Sequence, residues 1–288
     1  MKRAIILFSI AFAACGPSAS GSGGGGGGGG DGIDGGGGGG GGGGSGGSFT
    51  VYAHSDTVLY SIDLSTQSLQ TVGNFNAPTV GTGSNAGPDV ITDLAVAPDG
   101  TIYCISETAL YTASATDGHV TSVGSLSTCG TKGVALTTTP DGRLWMGDFM
   151  GAICQIDIST STPVVKSPVM MQNGYALAGD IVGIDSGTVF GSAYKTSDSM
   201  TQNNNILVKV DVTTGAVTEV GATGFPKLFG VAAAANGVFG FTHDTTGRVI
   251  TIDTNTGVGT MFGTFMDPST NKGISFAGAG VSSLVTIQ

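Results

Sequence analysis

Beyond its N-terminal region the sequence is written in short apolar runs, each broken after a few residues by Gly, Asn-Gly or Asp-Gly. No stretch repeats its apolar residues every three or four positions, so helices are not expected. Short runs closed by glycine turns predict strands joined as hairpins. The stretches TVYAHSDTVLY (Thr50 to Tyr60) and TIYCISETALY (Thr101 to Tyr111) align without a gap and agree at six of eleven positions. Such self-similarity signals an internal repeat.

Two series of elements carry the repeat. The first is an apolar strand ending in a glycine turn: LAVAPDG from Leu94, LTTTPDG from Leu136, IVGIDSG from Ile181, VAAAANG from Val231 and ISFAGAG from Ile274. The second is an apolar pair, a polar turn and another strand, beginning at Leu59, Leu110, Ile153, Leu207 and Val249. Each series has five members, and the turn glycines recur every 42 to 50 residues. One unit therefore reads as four antiparallel strands, the size of a propeller blade. The fold expected is all-β, a five-bladed β-propeller of four-stranded blades. The first unit lacks its first strand, because glycine precedes Phe49. The stretch from Gly273 to Gln288 is a first strand without the rest of its unit. Pairing of this C-terminal strand into the N-terminal blade would close the ring and remove two raw sheet edges.

The PDG turns at Pro98 and Pro140 and the D-x-x-T-G turns at Asp211 and Asp253 resemble the YVTN- and NHL-type propeller repeats of secreted bacterial proteins. The resemblance covers Phe49 to Gln288 and implies the fold. It leaves function open, since propellers host hydrolases, lyases, lectins and scaffolds alike.

The N-terminus adds an address. Lys2 and Arg3 precede an apolar run from Ala4 to Ala14, too short to span a bilayer but suited to a secretory signal. The FAAC junction ending at Cys15 resembles a bacterial lipobox, with Phe12 in place of the usual leucine. Residues 1–15 are thus expected to be a lipoprotein-type signal peptide ending at the lipidated Cys15. Residues 16–48 are almost pure glycine and serine and are expected to be a disordered tether. Residues 49–288 form the propeller domain. Export, a lipid anchor and the outer membrane are the expected localisation, and a monomer is expected. Gly16 carries no aspartate of the inner-membrane retention kind.

With 20 acidic and 10 basic residues the chain has a net charge of −10, which argues against nucleic acid or anionic lipid as partner. Most of the aspartates fall in turns, where they cap backbone N–H groups. Alignment of the units places His54, Ser55, Asp56, Ser106, Glu107, Asp148, Lys195, His243 and Asp244 near one rim. Ring closure would make His54 and His243 neighbours. Together with two aspartates they have the donor chemistry for a divalent cation, although no cofactor is predicted. Asp93 and Asp180 occupy equivalent positions at the start of the channel-lining strand, where a cation or polar ligand would fit between them. Ala135, Gly230 and Gly273 are their counterparts. Local capping of backbone and solvated loops are the competing readings.

HExxH, CxxC, P-loop and serine-elbow motifs do not occur in residues 49–288, and the channel-lining strands are mostly Ala, Val, Thr and Gly. This favours a non-catalytic binding or display module, whose partner is an unknown protein, glycan or small molecule, over a propeller enzyme of lactonase, lyase or hydrolase type. A purely structural envelope protein is the third reading. Of the three cysteines beyond Cys15, the pair Cys104–Cys129 is expected to bridge, closing a loop within one blade and its crossover. Cys129–Cys154, or three reduced thiols, remain open.

Overall fold

The computed structural model describes residues 50–127, 129–198, 205–234 and 237–281. It is a five-bladed propeller of antiparallel four-stranded blades, with a single 3-10 turn at Gly83–Asn85 among the described residues. From the axis outwards, blade two runs Asp93–Val96, Ile102–Ile105, Ala109–Ala113 and Val120–Ser125. Blade three runs Gly133–Thr138, Leu144–Asp148, Ala152–Asp157 and a fourth strand in two pieces, Val164–Val165 and Val169–Met170. Blade four comprises Tyr175–Gly183, Thr188–Lys195, Ile206–Asp211 and Val217–Ala222. Blade five comprises Leu228–Ala234, Gly237–Thr242, Arg248–Ile252 and Gly259–Thr264. In blade one, Gly278–Gly280 pairs with Thr50–His54, followed by Val58–Asp63 and Ser68–Asn74.

The innermost strands are buried on both faces, as Asp93–Val96 and Tyr175–Gly183 illustrate. The outermost strands of blades two, four and five instead share one pattern of half-buried and exposed positions. Core side chains lie between neighbouring blades, so each strand's alternation sends successive residues to opposite neighbours. Cys104 and Ile105 show this. Cys104 packs with Leu59 and Phe75 on the blade-one side, whereas Ile105 packs with Leu136 and Met146 on the blade-three side.

That alternation corrects the cysteine pairing. The bridge is Cys129–Cys154, with Cα atoms 5.8 Å apart, and Cys104 is a free, buried thiol. Cys129 and Cys154 share the blade-two/blade-three core, while Cys104 points to the other side of its blade. Burial pushes the Cys104 thiol well above its ordinary pKa. Cross-linking residues 25 apart stabilises by about 3 kcal/mol in the chain-entropy description.

A bulge recurs where the third and fourth strands pair, next to Leu59, Leu110, Leu207 and Val249 in blades one, two, four and five. The residue facing each of these is glycine: Gly73, Gly124, Gly221 and Gly263. A Cβ on Gly73 would lie 1.9 Å from the Asp117 carbonyl oxygen, and one on Gly221 would lie 2.1 Å from that of Thr256. Both oxygens belong to the turn of the next blade, which rests directly on the bulge. In blade three the fourth strand is split, and Pro168, which has no N–H to donate, stands in the gap between its two pieces.

The turn aspartates behave as their spacing suggested. Asp63, Asp211 and Asp253 each accept N–H bonds two and three residues ahead, and Asp157 accepts one from Ser159 at 3.0 Å. The crossover from blade one to blade two, Asn76 to Val90, contains a hairpin of Thr79–Val80 with Gly87–Pro88. One sequence assignment changes. Unit alignment equates Gly273 with Asp93, but pairing equates Gly278 with it: Gly278 faces His54 as Asp93 faces Ile105. The residues before Gly278 begin on blade five: Gly273 bridges Met266, and the Ile274 N–H bonds the Phe265 carbonyl at 3.2 Å. The glycines of ISFAGAG are therefore strand residues, chosen for space.

Candidate functional site

Asp93, Ala135, Asp180, Gly230 and Gly278 form one layer around the axis, each from the inner strand of its blade. Asp93 and Asp180 are fully buried there. Asp93 accepts the Leu94 N–H at 2.8 Å through Oδ1 and the Leu136 N–H of blade three at 2.6 Å through Oδ2. Asp180 accepts the Ile181 N–H at 2.6 Å and the Val231 N–H of blade five at 2.8 Å, and the Ala279 N–H of blade one also bonds to it. The two carboxyl groups hydrogen-bond each other across the axis. Burial raises both pKa values, and for Asp93 the charge of Asp180 raises it further. Two carboxylates in a dry site cannot both ionise, so the pair keeps a shared proton.

His54 sits in the same layer. Its Nδ1 is 2.8 Å from the Ser55 carbonyl, which makes Nδ1–H the donor and leaves Nε2 as a lone pair. Nε2 is buried with no hydrogen-bond partner. A Cβ on Gly278 would come within 2.6 Å of His54 Nε2 and 2.0 Å of Asp93 Oδ1, so only glycine fits between them. Burial lowers the His54 pKa to about 4, against a partial offset from the Ser55 hydrogen bond. The imidazole is held neutral.

One residue towards the rim, the chain changes character. Thr92, Val134, Gly179, Phe229 and Ala277, each immediately preceding a member of the layer, all line a cavity of about 220 Å³ at the mouth of the channel. Ile91 and Phe149 add apolar wall, and Asp56, Glu107 and Lys132 stand at its edge. Glu107 and Lys132 pair at 2.5 Å. His243 lines the cavity with its ring stacked on Phe229, centroids 4.5 Å apart and planes 6° from parallel. Its Nδ1 contacts the Phe276 carbonyl at 3.1 Å.

The residues singled out from the sequence thus separate. His243 and Asp56 are at the mouth. Asp93, Asp180 and His54 lie in the layer that plugs the channel beneath it. Asp244 is engaged by its own turn: it accepts the Thr246 N–H at 2.9 Å and the Thr242 hydroxyl at 3.2 Å, and it pairs with Arg248. Burial would raise its pKa, but the bonds from Thr246 and Arg248 outweigh this and hold it at about 2. Asp148 likewise accepts from Thr131, Met150 and Ala152. Among the described residues no group of three or more His, Cys, Asp or Glu is arranged to hold a metal ion. The apolar wall was not read from the sequence. Its signal was positional: every lining residue of that ring stands one place before the first-strand aspartate or its counterpart.

No protein-family model matches the chain, and no curated protein does. Among solved structures, a chain of a nidogen/laminin complex aligns with a TM-score of 0.52 at 13% identity, over 82% of this chain and 98% of that one. The structure titled Dos1 propeller aligns at 0.43 and 14% identity over 83% and 65%. Hydrazine synthase of Kuenenia stuttgartiensis aligns at 0.42 and 14% identity over 62% of this chain and 51% of that one. This chain therefore spans about half the length of the hydrazine synthase chain. At 13% identity the nidogen/laminin match speaks to fold alone.

The shared proton gives stability a pH dependence of definite sign. The folded pair binds a proton that the unfolded carboxylates release above about 3.8, so its contribution is complete below that pH and falls as pH rises. His54 acts oppositely between about 4 and 6.5, where only the unfolded state is protonated. The two offset each other in that window, and above pH 6.5 the fall remains, at up to about 1.4 kcal/mol per pH unit. Asp93→Asn should flatten the decline above pH 6.5 while lowering stability at pH 6 by about 1–3 kcal/mol, since one backbone N–H loses its acceptor. Urea titrations at pH 6, 7, 8 and 9 read both effects. A variant as pH-dependent as the natural protein would show that no proton is shared.

Proposed function

We propose that the chain is an exported, non-catalytic binding module of the cell envelope, held to the outer membrane by a lipid on Cys15 and lifted off it by the tether of residues 16–48. A coil of this length and composition spans roughly 30 Å on average. The observation that carries the binding reading is the mouth cavity, to which the inner strands or their leading residues of all five blades contribute. Channel mouths built this way are preferred ligand sites. The enzyme reading has less support, because the best acid–base candidates, Asp93 and Asp180, spend their oxygens on backbone N–H groups beneath the cavity floor. An acidic chain with net charge −10 also speaks against nucleic acid. No helix among the described residues is long and apolar enough to cross a membrane.

We also take the pairing of Gly278–Gly280 with Tyr52–His54 as the closure of the ring. The Ala277 N–H extends it, bonding the His54 carbonyl at 2.7 Å.

Three outcomes are expected. Cys15→Ala should abolish labelling by a radioactive fatty acid and release the protein from the membrane fraction; retention of both would defeat the anchor. Removing residues 278–288 should leave a protein that aggregates or fails to melt cooperatively, because the blade-one edge and the Asp180 partner Ala279 go together. An unchanged melting temperature would remove the closure. Finally, a ligand-observed NMR screen of fragments against the full chain should give hits that Val90→Trp, at the half-exposed lip of the cavity, abolishes. Hits indifferent to that change, or none, would overturn the mouth as the binding site.

A further inference from the structure

We propose that the mouth cavity takes a small apolar amine, with a single-ring hydrophobic body inside and a protonated amino group at the rim. The inference rests on the binding reading above and assigns the chemical class of its ligand.

Size sets the body. A dry protein cavity of about 150 Å³ accepts benzene, so the cavity of about 220 Å³ has room for one substituted ring and little more. The wall suits such a ring. Phe149, Ile91 and the Phe229–His243 stack contribute apolar and aromatic surface, and the face of an aromatic ring attracts a cation.

Charge sets the head group. Lys132 is neutralised by Glu107 at 2.5 Å. Asp56 is exposed at the edge of the cavity and accepts no hydrogen bond or ion pair from the described residues. The His54 imidazole, on which its charge acts, is kept neutral by burial. Asp56 is therefore the uncompensated charge of the rim, and Asp89 stands with it in the adjoining depression. The chain as a whole carries a net charge of −10. A carboxylate or phosphate ligand would meet repulsion here, and an ammonium group would be drawn in.

Depth argues against a polar group at the cavity floor, since the unpartnered His54 Nε2 in the layer below is itself sealed by burial and does not line the cavity. Asp93 and Asp180 below it are each saturated by backbone N–H groups and by one another. The ligand's polar end must therefore face the rim, where Asp56 lies.

The test is an isosteric series on the full chain at pH 7 and low salt: phenethylamine, 2-phenylethanol and 3-phenylpropionate, titrated by NMR or calorimetry. Phenethylamine should bind with a Kd of roughly 0.1–1 mM, as expected for a ligand of its size. It should bind about three- to tenfold more tightly than the alcohol, with the propionate weakest. Asp56→Asn, a change at an exposed position, should erase the preference for amine over alcohol while leaving the alcohol's affinity unchanged. Val90→Trp should remove all binding. If the alcohol or the propionate binds as tightly as the amine, the ligand class is wrong and the mouth remains a binding site. The same holds if all three fail while the fragment screen returns hits that Val90→Trp abolishes. If all three fail and no such hit exists, the class and the binding reading fall together.

Discussion

Two buried carboxyl groups hold the centre of this ring. Asp93 joins the inner strands of blades two and three, and Asp180 joins those of blades four, five and one, through backbone N–H groups that would otherwise face an empty channel. The bond between the two carboxyls links the sets. Hydrogen bonds from buried N–H groups to a charged acceptor are among the stronger ones, about 1.5–3 kcal/mol each. The arrangement tolerates two acids in a dry site because they share a proton, and it tolerates the crowding because Gly278 offers no side chain.

The rest of the axis follows from that plug. Because the two carboxyl groups are consumed inside the layer, the space above it is left mostly to apolar residues, and the mouth becomes a hydrophobic cup with charges at its lip. Of the titratable groups near the axis, His54 is sealed below and Asp93 and Asp180 are tied to backbone, whereas His243 and Asp56 stand at the cavity surface.

Away from the axis the blades are held by backbone fitting into backbone. A bulge beside a glycine in each of four blades makes a seat, and in blades one and four the turn of the following blade lies in it closer than any Cβ would allow. Blade three has a divided fourth strand in place of that device, and it carries the Cys129–Cys154 bridge. The one irregular outer strand is thus in the blade with a covalent tie to its crossover.

The sequence by itself determined the strand content, the five units and the positions of the turns. Those depend on local rules: glycine where φ is positive, aspartate two residues before an N–H it can cap, apolar residues at alternate positions. It also singled out Asp93 and Asp180, because an acid at two equivalent points of an apolar strand is conspicuous. What it left open was decided by contacts between units. The side of the blade to which Cys104 points depends on strand alternation relative to both neighbours, so Cys129 met Cys154. The register of the last strand depends on its partner Thr50–His54, so Gly278 took the place alignment gave to Gly273. Whether an aspartate is a free ligand or a structural tie depends on which N–H groups the other blades bring to it, and those come from residues far apart in the sequence, Leu136 to Asp93 and Val231 to Asp180.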